Sequence, residues 1–227
     1  MRSIKNFIKS HPNIMRFLFA CVSRVPFNNK IKGRRKNKVV IKGLMQGCRL
    51  TFRGVNNTFE VRDGAKLKNC VIQINGNNNH IVFGKQTYAK NADVYTEDDN
   101  NRILVGDGTD MCGKIHLAAI EGTIIDIGKN CLFSSEIVFR TGDGHSILNM
   151  NGNRINPSQD IKINDHVWIG HRVCVNKGVV IGSDNIIGTA AVVTKSIIDT
   201  NTVIAGVPAK VVKTDVNWDG ERIRPQK

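Results

Sequence analysis

Aromatic residues are scarce in this chain, 6% of its 227 residues, whereas glycine is plentiful at 21. That balance excludes a core of large interlocking rings and favours a repetitive, tightly turned architecture. The six cysteines, Cys21, Cys48, Cys70, Cys112, Cys131 and Cys174, form no Cys-x-x-Cys pair and no cluster at metal-ligand spacing. They are expected to be buried thiols of a reducing compartment. Long hydrophobic runs are lacking too. The longest, Phe17 to Val22, is far short of the ~20 residues that span a bilayer. No apolar run ends in a small-residue cleavage site, which argues against a signal peptide and for a cytoplasmic protein. Acidic residues are absent from positions 1–59, which hold 14 Lys or Arg, while the rest of the chain holds 19 residues of each sign. The body is therefore neutral, and the net charge of +14 belongs to the N-terminal end.

That end has a pattern of its own. Ile14, Phe17, Leu18, Cys21, Val22 and Val25 recur at helical spacing, and Ile4, Phe7 and Ile8 make a shorter apolar face before Pro12. One or two amphipathic helices ending near Pro26 are expected, followed by the charge run Lys30 to Lys38. Residues 1–53 are read as a basic amphipathic extension. Its first 38 residues suit peripheral contact with an anionic membrane face, or a helical cap on whatever follows. Interleaved aromatics and recognisable nucleic-acid modules are missing, so no nucleic-acid partner is expected.

From residue 54 the sequence repeats itself. Asn57, Asn79 and Asn101 align at a period of 22, as do Phe59, Ile81, Ile103 and Ile125, and Val61, Phe83, Val105 and Ile127. Alternation in Phe59-Glu60-Val61 and Ile125-Asp126-Ile127 marks short strands with one buried face. Downstream the period tightens to six through Ile163, Ile169, Val175, Ile181, Ile187 and Val193. Three hexads make an 18-residue coil of triangular section. Each side is a strand pointing one aliphatic residue inward, and each corner needs a residue tolerant of unusual φ. Stacked coils pair their strands in parallel.

Val167-Trp168-Ile169-Gly170, Ile181 to Gly188, Val193-Thr194-Lys195 and Ala205 to Lys210 resemble the hexapeptide-repeat acyltransferases, most strongly over residues 120–213. The resemblance implies an all-β, left-handed parallel β-helix over residues 54–213, with 214–227 as a tail, in a homotrimer with sites between subunits. A non-catalytic β-helical spacer is the bland alternative.

The ladder is interrupted between Phe139 and Ile163, and a long excursion from a regular coil is a place to look for function. This loop, 140–160, contains Gly142-Asp143-Gly144-His145-Ser146-Ile147, which resembles the histidine loop of the sugar and polysaccharide O-acetyltransferases of that family. There the loop histidine is the base that activates a sugar hydroxyl against acetyl-CoA. An imidazole with a pKa near ambient suits that step. The resemblance also implies Trp168 beside the acceptor or acyl group, His171 near the thioester, Thr189 and Ala190 near the pantetheine arm, Thr194 and Lys195 further along, and Lys210 towards the phosphates. Asp143 and Glu136 are candidates to orient the imidazole. N-acetylation of an amino sugar is the alternative within acyl transfer. His166-x4-His171 raises a rival metal site of the carbonic-anhydrase kind, but no third ligand falls at a whole number of coils, so no metal is expected.

Overall fold

A computed structural model describes residues 28–223. They form an all-β, left-handed parallel β-helix of about seven turns. Every third strand joins the same sheet, so three faces of eight, seven and nine strands enclose the core. On the first face Leu50 pairs with Ile72 and Ile72 with Val94; on the second Phe59 pairs with Ile81 and Ile81 with Ile103. Those 22-residue steps give way to 18-residue steps at Ile163 to Ile181 and Ile169 to Ile187. Between the two regimes lies one 36-residue step, Ile125 to Ile161, and it carries the loop.

The inward positions read from the sequence line the interior. Phe59 meets Phe83 edge to face at 6.2 Å, Phe133 stacks on Phe139 at 5.6 Å, and all four rings are fully buried. Corners are turned by residues in the left-handed region: Asn56, Asn78 and Asn100 in the 22-residue coils, then His166, Asp184 and Asn201 in the later ones. Each non-glycine residue there costs about 1–2 kcal/mol, offset by ladder hydrogen bonds above and below. Gly54 has φ +155, and a Cβ there would collide with the Gly76 carbonyl of the next coil. The Asn57, Asn79 and Asn101 side chains stack inside the prism, each Oδ1 accepting the N–H of the next residue along the ladder. A polar column thus survives in the core because every member is bonded to its neighbour.

Three expectations need correcting or bounding. The coil starts before residue 54: strands Lys30–Lys32, Lys38–Ile41, Leu44–Gln46 and Arg49–Arg53 already belong to the three faces. Outward Lys30, Lys32, Arg49 and Arg53 alternate with inward Ile31, Leu50 and Phe52, so the charge run from Lys30 begins as the outer face of a strand. Among the described residues two cysteines are not buried, and Cys21 lies outside them. Cys112 is exposed and Cys174 half-buried, because each sits one residue from an inward Met111 or Val175 and faces outward. The helices expected over residues 4–25 lie outside the described residues, and no helix among the described residues is long and apolar enough to cross a membrane.

Candidate active site

The 36-residue coil leaves the first face after strand Ile137–Arg140 and re-enters the second at Ile161–Ile163, so the loop projects from the edge between those faces. Its tip is a small hairpin: Leu148 bridges Arg154, Ile155 N–H donates to the Ile147 carbonyl (2.8 Å), and Asn149 N–H to that of Asn153 (2.9 Å). Asn156 holds the base of the hairpin. Its Nδ2 donates to Asp143 Oδ2 (2.7 Å) and to the His145 carbonyl (2.8 Å), while its Oδ1 accepts the Ile147 N–H (2.7 Å). It is the one loop residue from 143 to 155 and beyond to Gln159 whose side chain is buried, 6% exposed.

Two ion pairs tie this loop to the coils. Lys177, one coil further on the same edge, reaches Asp143, and together with Asn156 it holds the Asp143 carboxyl below the usual carboxylate range. Arg154 forks onto Glu121, with contacts of 2.7 and 3.1 Å, and Ser158 N–H adds a third at 3.2 Å. Arg154 first and Ser158 second push the Glu121 pKa down to about 2 from 4.5. A carboxyl depressed on folding stabilises the fold above its unfolded pKa, and that contribution fades as pH falls through the folded value. The stability difference between wild type and Glu121→Gln, present near neutrality, is therefore expected to shrink as pH falls from about 4.5 to about 2. Thermal melts of both proteins across that range measure it, and the difference stays small because Glu121 is one-third exposed.

His145 itself is exposed, held by its carbonyl and not by its ring, and the imidazole has no hydrogen-bond partner among the described residues. Neither suggested carboxylate orients it. Asp143 is occupied by Asn156 and Lys177, and Glu136 lies on the edge between the third and first faces, paired with Arg172 at 3.0 Å.

The other residues singled out in the sequence fall into three places. Trp168 is on the third face, 40% exposed, between Leu132 and Ile186. His171, Thr189 and Ala190 share the edge between the third and first faces: Ala190 N–H donates to the His171 carbonyl (2.7 Å), and His171 Nδ1 lies 2.9 Å from the Ser135 hydroxyl. Thr194 and Lys195 are exposed on the same edge as the His145 loop, and Lys210 lies on the antiparallel strand Ala209–Lys213 that ends the third face. In a triangular section the His145 edge stands opposite the third face. One chain therefore does not bring His145 and Trp168 together. His166 and His171 occupy different edges at either end of strand Trp168–Ile169, His166 Nδ1 being held by Asp184 at 2.8 Å.

Sequence reasoning missed Asn156, Lys177 and Arg154, whose roles depend on a hairpin no period announces. It also missed Trp218 in the tail. That ring stacks on His166 at 4.2 Å, donates its Nε1–H to the His166 carbonyl (3.0 Å) and stands 6.1 Å from Trp168.

A parallel β-helix broken by one histidine-bearing loop defines a hexapeptide-repeat acyltransferase scaffold, and known proteins agree. No family profile matches the chain. It is 36% identical over 147 residues to WbbJ of Escherichia coli K12, described as a lipopolysaccharide biosynthesis O-acetyl transferase, covering 60% of this chain and 73% of that one. It is 32% identical over 95 residues to a polysialic acid O-acetyltransferase of Escherichia coli O1:K1, where the match spans only 31% of the relative's length. The crystal structure of the polysialic acid O-acetyltransferase OatWY superposes with TM-score 0.72 at 29% identity, covering 88% of this chain and 91% of that one. The chain belongs to the hexapeptide-repeat O-acetyltransferase family.

Proposed function

We propose that this protein transfers the acetyl group of acetyl-CoA to a hydroxyl of a sugar in a bacterial capsular, lipopolysaccharide or related glycan, with His145 as general base. The observation that carries the reading is the His145 loop: its backbone is fixed by Asn156, Asp143 and Lys177 while its imidazole has no hydrogen-bond partner among the described residues. A free, exposed imidazole on a fixed loop can accept the proton of a hydroxyl as that oxygen attacks the thioester carbonyl. The new C–O bond forms, the C–S bond breaks, and the imidazolium returns its proton to the leaving thiolate. Backbone N–H groups at the coil edge would stabilise the oxyanion. Relatives named as polysialic acid and lipopolysaccharide O-acetyltransferases support a glycan acceptor.

The cofactor roles proceed from the same reading: His171, Thr189 and Ala190 along one edge for the thioester and pantetheine, Thr194 and Lys195 further along, Lys210 towards the phosphates, and Trp168 beside the acceptor or the acyl group. Because His145 and Trp168 lie on opposite sides of the prism, the site is completed by a neighbouring copy, in a homotrimer that works in the cytoplasm. Residues 1–38 are its proposed contact with the inner membrane face. Subunit mixing tests the shared site. His145→Ala and Trp168→Ala chains, each of low activity alone, are expected to regain acetyl transfer when unfolded together and reassembled. No gain over the separate proteins would show that each chain works alone.

A further inference from the structure

The outward surface of the first face is hollowed on both sides of His116. A groove of about 530 Å³ lies towards the His171 edge, lined by Val71, Asp93, Lys114 and Val138 among others. A second hollow of about 300 Å³ lies towards the His145 loop, lined by Tyr95, Glu97, Ala118, Ile120, Arg140, Gly142 and Gly144. His116 lines both and stands between them, and the second depression ends at the loop. Gly144 leaves it open at the loop: it has φ +75 with nothing within 4 Å of where a Cβ would stand.

One charge in the hollow towards the loop is unanswered. Arg154, Arg172 and Arg62 are each paired with a glutamate, but Arg140 has no carboxylate partner among the described residues. Its Nη2 lies 3.5 Å from His116 Nε2. His116 Nδ1 is 3.0 Å from Asp93 Oδ2, which keeps the proton on Nδ1 and turns Nε2 towards the guanidinium. Glu97, the carboxylate in the hollow's lining, is engaged by the Tyr95 hydroxyl. Arg140 thus stands beside an Asp93–His116 pair, four residues before Gly144, and the donors of its fork not turned to His116 are open to a planar anion.

We propose that this depression is the acceptor groove and that Arg140 reads a sugar carboxylate, so that the acceptor is an acidic glycan, with His116 as the residue that positions Arg140. The inference rests on the acetyl-transfer reading above and narrows its substrate. The sugar's carboxylate meets Arg140 while a hydroxyl of the same or the next unit reaches the His145 loop.

Oligomers of sialic, galacturonic and glucuronic acid, each paired with its neutral methyl ester, serve as acceptors, with acetyl-CoA and thiol release as the readout. The full-length protein is expected to use at least one acid about tenfold or more better than its ester in kcat/KM, the scale of a charge-assisted bidentate contact. Arg140→Ala and Arg140→Lys bring that ratio close to one, and His116→Ala lowers it part-way. A ratio is insensitive to how much of a variant is folded. Preference for the ester, or an acid preference that survives Arg140→Ala, overturns the inference. So does use of neutral sugars alone, which leaves acetyl transfer standing. Thiol release with no sugar at all overturns both readings.

Discussion

Replacing His145 with alanine is expected to lower kcat for acetyl transfer by about two orders of magnitude or more, the usual worth of a positioned general base. The melting temperature should hardly move. His145 is exposed, its imidazole has no hydrogen-bond partner among the described residues, and the hydrogen bond that fixes its position uses a carbonyl that alanine retains. Kinetics under saturating acetyl-CoA together with a thermal melt separate this from misfolding. A variant with near-normal kcat would remove His145 from the chemistry. A variant with depressed stability would place the residue in the structure of the loop instead.

Asn156→Ala is expected to produce the next largest loss, about tenfold or more in kcat, without any change in a reacting group. The substitution removes the donors to Asp143 and to the His145 carbonyl, and the acceptor for Ile147 N–H, in one step. A loop that no longer presents its imidazole at one place forfeits the advantage of orientation. It also leaves the part-buried Ile147 N–H without its acceptor, at less than the ~1–3 kcal/mol of a fully buried group. That cost falls on the hairpin, not on the stacked coils, so hydrogen exchange should rise in residues 143–156 while coil amides stay protected. Unchanged exchange in the loop with unchanged kcat would mean that Lys177 and Arg154 suffice to hold it.

The coils were legible because they are local and periodic. An inward residue every six or 22 positions leaves its mark on the sequence whatever lies outside, and the strand pairs Phe59 to Ile81 and Ile163 to Ile181 follow it to the residue. The first coil is hard to read in the sequence because its strands are short and their outward positions are Lys30, Lys32, Arg49 and Arg53, which leave few inward residues to carry the period. The loop's place was legible as an interruption, and its histidine by resemblance. What the sequence hid is how the loop is held. Asn156 reaches back 11 residues to His145, Lys177 reaches back 34 to Asp143, and Arg154 reaches back 33 to Glu121, and none of those separations is a multiple of a coil. Hidden too is the opposition of the His145 edge and the Trp168 face. It depends on which side of a triangle each residue occupies, and motif matching reads the two as neighbours 23 positions apart.

The central claim is that this β-helix moves acetyl from acetyl-CoA to a glycan hydroxyl through His145. Mass spectrometry of glycan acceptors incubated with acetyl-CoA and either wild type or His145→Ala tests it directly. The account predicts O-acetyl esters on an acceptor with wild-type protein, matched by released thiol, and only a trace with the variant. Equal acetylation by both proteins, or acetylation of an amine in place of a hydroxyl, would contradict it.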